Sequence, residues 1–284
     1  VMEIKKIGVL GAGTMGAGIA QVAAEAGFSV ILVDIETAII EKALKGIKKA
    51  WKKAVEKGKL DEGEMQKREG NLATGSSMVD FKDCDVVIEA IVEKIEVKKV
   101  VFKELDGICP EHSILASNTS ALSITEIAAA TGRPDRVVGM HFFNPVPVMK
   151  LVEVIPGAET SEAVSSAIVE LCKKLKKEPV LAREFPGFIV NRILVPYINE
   201  AAMAFQDGVA SAEEIDKAMK LGANMPMGPL ALCDLVGIDV LLMVCEYFWQ
   251  EFGDSKYRPS LALKQKVRAG HLGVKTGKGF YDYK

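Results

Sequence analysis

Cysteine is scarce and shows no pattern: Cys84, Cys109, Cys172, Cys233 and Cys245 are five in number and contain no C-x-x-C pair. That excludes a disulfide framework and a cysteine-built zinc site, and it points to a reducing compartment, with the cytoplasm as the expected location. Histidine is scarcer still. His112, His141 and His271 fall at no metal-ligand spacing, so no metal is expected. Charge of either sign is not in excess: a net charge of −2 gives no global pull toward nucleic acid or an anionic membrane. Any polyanionic ligand must then be met by a local patch. The most apolar late stretch, Leu230 to Cys245, is interrupted by Asp234 and Asp239, which excludes a membrane span there. The chain reaches its first apolar run within a few residues, leaving no room for a signal or transit peptide, and Val1 ahead of Met2 reads as a processing remnant. Aliphatic residues, by contrast, are plentiful. With 49% hydrophobic residues over 284 positions, the chain can fill one large core or two ordinary ones.

The β-forming run Ile4 to Leu10 leads into Gly11, Gly13 and Gly16, a G-x-G-x-x-G pattern, and then into an Ala-rich helical segment from Thr14 to Ala26. Gly27 caps that helix, and a second apolar strand ends in an acid at Asp34. This is a β-turn-α-β unit whose turn can set backbone N–H groups against a pyrophosphate at a helix N-terminus, where Thr14 and Met15 open the helix. Gly11 serves the tight turn, Gly13 the close approach of phosphate, and Gly16 the packing of helix on strand. Asp34 lies twenty-three residues beyond Gly11, near the expected place of the acid that grips a ribose hydroxyl. Its charge repels a 2′-phosphate and Ile35-Glu36 supply no cation, so NAD is favoured over NADP without excluding it.

A helix is expected from about Glu36 to Lys57, with Lys45, Lys49, Lys53 and Lys57 recurring every four residues and Lys48 and Lys52 beside them. Such a face is either a solvated surface or a landing site for a phosphate-rich ligand. Gly58 to Leu72 reads as a turn and a short polar helix, and Thr74 to Ser77 as a loop. Apolar runs at Asp85–Ile91, Ser113–Ser117, Val137–Met140, Leu151–Ile155 and Pro179–Leu181 read as further strands. Helices are expected at Val97–Leu105, Ile124–Ala130 (capped by Ser123) and Ser161–Leu175. From Phe188 onward only helical periodicity remains. The expected architecture is therefore α/β, a Rossmann-type doubly wound N-terminal domain over residues 1–186, followed by an all-helical C-terminal domain over 187–284. Apolar segments such as L-L-M-V-C in the latter either fill its own core or meet a second copy of the chain.

Proton exchange beside a nicotinamide needs a base, and His141, at a strand's carboxyl end, is the natural candidate. Glu153 sits amid aliphatics in L-V-E-V-I, an odd place for an acid unless it has a partner such as His141. The competing reading is an edge-strand surface glutamate. Ser120 and Asn118 either hydrogen-bond a substrate oxygen or cap the turn that follows them. Asn191, polar within I-V-N-R-I-L, is either a core amide satisfied by backbone or a polariser of the reacting oxygen.

The stretches G-A-G-T-M-G-A-G, I-E-A-I-V-E, S-N-T-S, H-F-F-N-P-V-P-V-M-K-L-V-E-V, P-G-F-I-V-N-R and G-K-G-F-Y-D-Y together resemble the L-3-hydroxyacyl-CoA dehydrogenase family over essentially the whole chain, most closely its short-chain bacterial branch. The resemblance implies an oxidoreductase that interconverts (S)-3-hydroxyacyl-CoA, 3-hydroxybutyryl-CoA foremost, and 3-ketoacyl-CoA such as acetoacetyl-CoA, with NAD. It implies that His141 is the general acid/base, that Glu153 orients it, and that Ser120 and Asn191 contact the reacting oxygen. It places Asp34 on the adenosine ribose, Glu93, Lys98 and Lys275 near the cofactor, and Lys53 and Lys57 on the CoA moiety. The apolar segments of the helical domain add the expectation of a homodimer joined through it. One departure is Ala50, where some relatives carry a serine that touches CoA. The rival readings are a dehydrogenase of free β-hydroxy or sugar acids, and a non-catalytic NAD-binding protein.

Overall fold

The computed structural model describes residues 3–283, and the chain divides between Phe185 and Pro186 into two compact units. The first unit is built on eight strands: β1 Lys6–Leu10, β2 Ser29–Val33, β3 Leu72–Gly75, β4 Val86–Glu89, β5 Ile114–Ser117, β6 Val137–Phe142, β7 Leu151–Pro156 and β8 Glu178–Leu181. They form one sheet in the order β3-β2-β1-β4-β5-β6-β7-β8. All neighbours run parallel except β6 and β7, which are antiparallel. The first six in this order are the doubly wound arrangement, whose chain reversal beside β1 opens a crevice at the strands' carboxyl ends.

Periodicity and capping set the helices of this unit. α1 (Thr14–Glu25) buries Ile19, Ala20, Val22, Ala23 and Ala24 against the sheet. α2 (Thr37–Glu56) buries Ile40, Ala43, Ile47 and Trp51 at three- and four-residue spacing, so its lysines face water. Trp51 also donates its Nε1–H to Glu25 Oε1 at 2.6 Å, which ties α2 to α1. α3 is Glu62–Gly70, α4 is Ile95–Ile108, and α5 is Ile124–Ala128, where Ser123 accepts from the N–H of Glu126 as its pattern predicts. α6 (Glu162–Lys174) is capped by Ser161.

Two elements differ from the expectation. Leu72–Gly75 is strand β3, paired with Val30–Val33, where the sequence reads the end of a polar helix and the start of a loop. Its sequence, L-A-T-G, carries no apolar run, because an edge strand is held mainly by backbone hydrogen bonds. Strand β6 also runs on past Met140, so His141 lies within it, where pairing to β7 extends it.

The second unit is helical: α7 (Val190–Gln206), α8 (Ala212–Gly222), α9 (Pro229–Val236), α10 (Ile238–Phe252) and α11 (Leu261–Arg268) enclose a core that includes Ile198, Leu230, Leu241, Phe248 and Leu263. Two buried aspartates organise it. Asp216 accepts from the N–H groups of Leu230 and Ala231 at 2.8 Å each, and from the Tyr281 hydroxyl at 2.8 Å. Asp234 accepts from the N–H groups of Phe280 and Tyr281 at 2.9 Å, and from the Tyr283 hydroxyl at 3.0 Å. The closing G-K-G-F-Y-D-Y motif is thus fastened by side chain to backbone. Among the described residues, no helix is long and apolar enough to cross a membrane.

Candidate active site

The first turn after β1 is shaped for a phosphate. Gly11 has φ +97°, and a side chain there would meet the Ala90 carbonyl; a Cβ on Gly16 would overlap the Gly11 carbonyl oxygen. Gly13 is different. A Cβ on it would meet nothing within 4 Å, and as the N-cap of α1 it offers no side chain to the first-turn N–H groups. The open face of the loop and the uncapped N-terminus, led by Thr14 and Met15, fit a dinucleotide pyrophosphate. Asp34, just past β2, accepts from the N–H of Ala12 at 2.7 Å through Oδ2 and from that of Glu36 at 3.1 Å through Oδ1. The acid expected at the ribose therefore also pins the glycine loop to the end of β2.

At the carboxyl end of the neighbouring strands stands a network of charge. Glu89, the last residue of β4, is fully buried. Its Oε1 accepts from the N–H of Ile91 at 2.7 Å and from Lys98 Nζ at 2.5 Å, and its Oε2 from the Ser117 hydroxyl at 2.7 Å. Lys98, buried in α4, also lies 3.4 Å from Glu93. Glu93 Oε1 in turn accepts from the Thr119 hydroxyl at 2.6 Å and the Ser120 N–H at 2.7 Å. Sequence reasoning singled out Glu93, Lys98 and Ser120 but passed over Glu89, although an acid inside the apolar V-V-I-E-A-I is the same signal that drew attention to Glu153.

His141 and Glu153 are directly opposed in the register of β6 and β7. Both are buried, and His141 Nδ1 lies 2.7 Å from Glu153 Oε2. Strand β7 is an inner strand, so Glu153 is no surface acid at an edge. The contact fixes the imidazole with its Nδ1 edge toward the carboxylate. The Phe143 ring lies 4.5 Å from the imidazole. Asn118 fastens this strand rather than reaching outward: its Oδ1 accepts from the Phe142 N–H at 2.8 Å. The connection from β6 to β7 is held by Lys177, whose buried ammonium donates to the carbonyls of Val146 and of Met149 (2.8 Å). Burial lowers the pKa of that lysine.

The remaining predicted residues lie apart from this cluster or on the helical unit. Lys53 and Lys57 are exposed at the C-terminal end of α2, and Ala50 is exposed one turn before Lys53. Asn191 is half-buried in the first turn of α7. Lys275 is paired with Asp239 at 2.6 Å within its own unit. The cysteines offer no reactive thiolate, since burial pushes Cys84, Cys172 and Cys245 up to about 12 and Cys109 up to about 11.

A dinucleotide loop on a doubly wound sheet, with a buried histidine–carboxylate pair at that sheet's carboxyl end, defines a nicotinamide-dependent dehydrogenase. Two family models divide the chain between them: the NAD binding domain of 3-hydroxyacyl-CoA dehydrogenase matches residues 6–185, and the C-terminal domain of 3-hydroxyacyl-CoA dehydrogenase matches residues 187–283. The chain belongs to the 3-hydroxyacyl-CoA dehydrogenase family. It is 52% identical over 282 residues to a probable 3-hydroxybutyryl-CoA dehydrogenase of Bacillus subtilis, covering 99% of this chain and 98% of that protein. It is also 52% identical over 278 residues to the 3-hydroxybutyryl-CoA dehydrogenase of Clostridioides difficile, covering 98% and 99%. The crystal structure of (S)-3-hydroxybutyryl-CoA dehydrogenase from Ralstonia eutropha matches with a TM-score of 0.96 at 47% identity, over 99% of this chain and all of that one.

Proposed function

We propose that the protein interconverts (S)-3-hydroxybutyryl-CoA and acetoacetyl-CoA, with His141 as the general acid/base. The buried His141–Glu153 pair at 2.7 Å carries this reading. In oxidation, the Nε2 lone pair of His141 takes the 3-hydroxyl proton, and the Glu153 carboxylate stabilises the imidazolium that results. In reduction, the same imidazolium returns the proton to the forming alkoxide. When bound, NAD supplies the hydride acceptor. Ser120 and Asn191 hydrogen-bond the reacting oxygen and so stabilise the charge that develops on it.

The glycine loop, with the N–H groups of Thr14 and Met15, receives the pyrophosphate, and Asp34 receives the adenosine ribose. Glu93 lines the cofactor, supported from behind by the buried Lys98, and Lys275 is assigned to the cofactor as well. The exposed lysine face of α2, through Lys53 and Lys57, draws the phosphates of CoA. A dehydrogenase for free hydroxy acids has no use for such a face. Initial rates of NADH oxidation with 3-ketoacyl-CoA substrates of increasing chain length, and with free acetoacetate, test the reading. We expect acetoacetyl-CoA to give the highest kcat/KM and the free acid the lowest; a free acid turned over as well as its thioester contradicts it.

The protein acts in the cytoplasm as a homodimer joined through the helical domain in this reading. Five free, buried thiols agree with a reducing compartment. Exposed apolar side chains on α9 and α10 (Leu235, Val236, Val240 and Met243) support such an interface. Sedimentation equilibrium reads the assembly directly, and a monomer at micromolar concentration would remove the dimer from the account.

A further inference from the structure

Glu89 stands beneath the turn that carries Ser120 and reaches it by two routes. On one side, Glu89 Oε2 accepts from the Ser117 hydroxyl at 2.7 Å, three residues before Ser120. On the other, Glu89 Oε1 draws Lys98 Nζ to 2.5 Å, Lys98 meets Glu93 at 3.4 Å, and Glu93 accepts from the Ser120 N–H at 2.7 Å. The Ile91 N–H, bonded to the same Glu89 oxygen at 2.7 Å, fixes the start of the chain that delivers Glu93. Glu89 and Lys98 are fully buried, with side-chain exposures of 0% and 1%. A buried acid with three donors on it is strongly oriented, and so is everything it orients.

We propose that Glu89 is a positioning residue for this reaction: it fixes Ser117 on one side and the Lys98–Glu93 pair on the other, and thereby sets the Ser120 hydroxyl against the reacting oxygen. This rests on the reading of Ser120 as a substrate contact. Two carboxylates share one ammonium, so Lys98 has a structural partner in Glu89 and a second, longer bond left for Glu93. A rigid bond to the first aims the second. Misplacing a reacting group by a fraction of an ångström is enough to slow turnover even with both substrates bound.

The test measures kcat for acetoacetyl-CoA reduction and the Kd of NADH by protein fluorescence, with Glu89→Gln introduced into the native chain and into the Ser120→Ala background. In the native chain, Glu89→Gln is expected to lower kcat at saturating NADH about tenfold, beyond any rise in the Kd for NADH that the displaced Glu93 brings. In the Ser120→Ala background the further loss is expected to stay under about twofold, because residues that act through one another are not additive. Native turnover by Glu89→Gln overturns the proposal, and so does a tenfold loss that persists in the Ser120→Ala background, since that marks a general structural role. Where Glu89→Gln does not fold, Ser117→Ala cuts one route and leaves the buried charges intact. It is expected to lower kcat about threefold, an effect that disappears in the Ser120→Ala background. Native turnover by Ser117→Ala contradicts the proposal. Ser120→Ala alone at the native rate removes Ser120 from the reacting oxygen, and that failure is separate from the others because it appears before Glu89 is touched.

Discussion

His141 and Glu153 face one another directly across an antiparallel strand pair, Nδ1 to Oε2 at 2.7 Å, although twelve residues separate them along the chain. The register of β6 and β7 sets this contact, so a one-residue slip would send the two side chains to opposite faces of the sheet. The connection between them is anchored by the buried Lys177 ammonium on the carbonyls of Val146 and Met149. The histidine–carboxylate pair is thereby built into the sheet rather than into a loop.

Glu153→Gln keeps the shape of the pair and removes the charge that stabilises the imidazolium. We expect kcat to fall about 100-fold or more, with far-ultraviolet circular dichroism and the Kd for NADH close to native. Normal steady-state kinetics would return Glu153 to a purely structural part.

Gly13 and Gly16 separate cofactor binding from folding. A Cβ on Gly13 meets nothing within 4 Å, and its φ of −64° suits any residue. Gly13→Ala is therefore expected to leave the melting temperature within a degree or two of native while raising the Kd for NADH about tenfold, as a methyl group enters the path of the phosphates. A Cβ on Gly16 overlaps the Gly11 carbonyl, so Gly16→Ala is expected to cost about 1–3 kcal/mol of stability as well. Equal melting temperatures for the two variants would refute the distinction.

Asp34 pins the glycine loop, and the proposed reading gives it a second task at the adenosine ribose. Its Oδ2 holds the Ala12 N–H at 2.7 Å. Asp34→Ala is expected to weaken NADH binding, and to narrow the preference for NADH over NADPH because the charge that repels a 2′-phosphate is gone. Titration of each cofactor against the variant measures the ratio. An unchanged ratio would dissociate Asp34 from cofactor choice.

Asp85 gives a pH signature away from the active site. Burial works to raise its carboxyl pKa, but the N–H groups of Lys6 and Lys5 and the neighbouring His112 outweigh it and hold the group below its ordinary value of 3.8. A carboxyl depressed in the folded state stabilises it above the unfolded-state pKa, and this is lost as pH falls through the folded-state value. Asp85→Asn is thus expected to cost about 1 kcal/mol at pH 7, with the difference from native closing below about pH 4. Urea unfolding at both values reads it; a difference that stays constant with pH would be wrong for this carboxyl.

Much of this was legible in the chain. The glycine loop, Asp34, the capping Ser123 and the acid misplaced in L-V-E-V-I each announce a local requirement that few residues can meet. What escaped has no such local signature. Strand β3 is an edge, held by pairing to β2 rather than by its own apolar side chains. Asn118 in S-N-T-S reads locally as a substrate contact or a turn cap, whereas long-range packing has its Oδ1 accept from the Phe142 N–H, twenty-four residues away. Glu89 was hidden in a run read as an ordinary buried strand, and its partners Lys98 and Ser117 come from α4 and β5.

In the proposed reading, His141 moves the substrate proton while the rest of the site binds. The direct measurement is kcat for acetoacetyl-CoA reduction by His141→Ala beside the Kd of NADH for the same variant. The account predicts a loss in kcat of at least about 100-fold with the dissociation constant nearly unchanged. Native-like turnover by His141→Ala would contradict it.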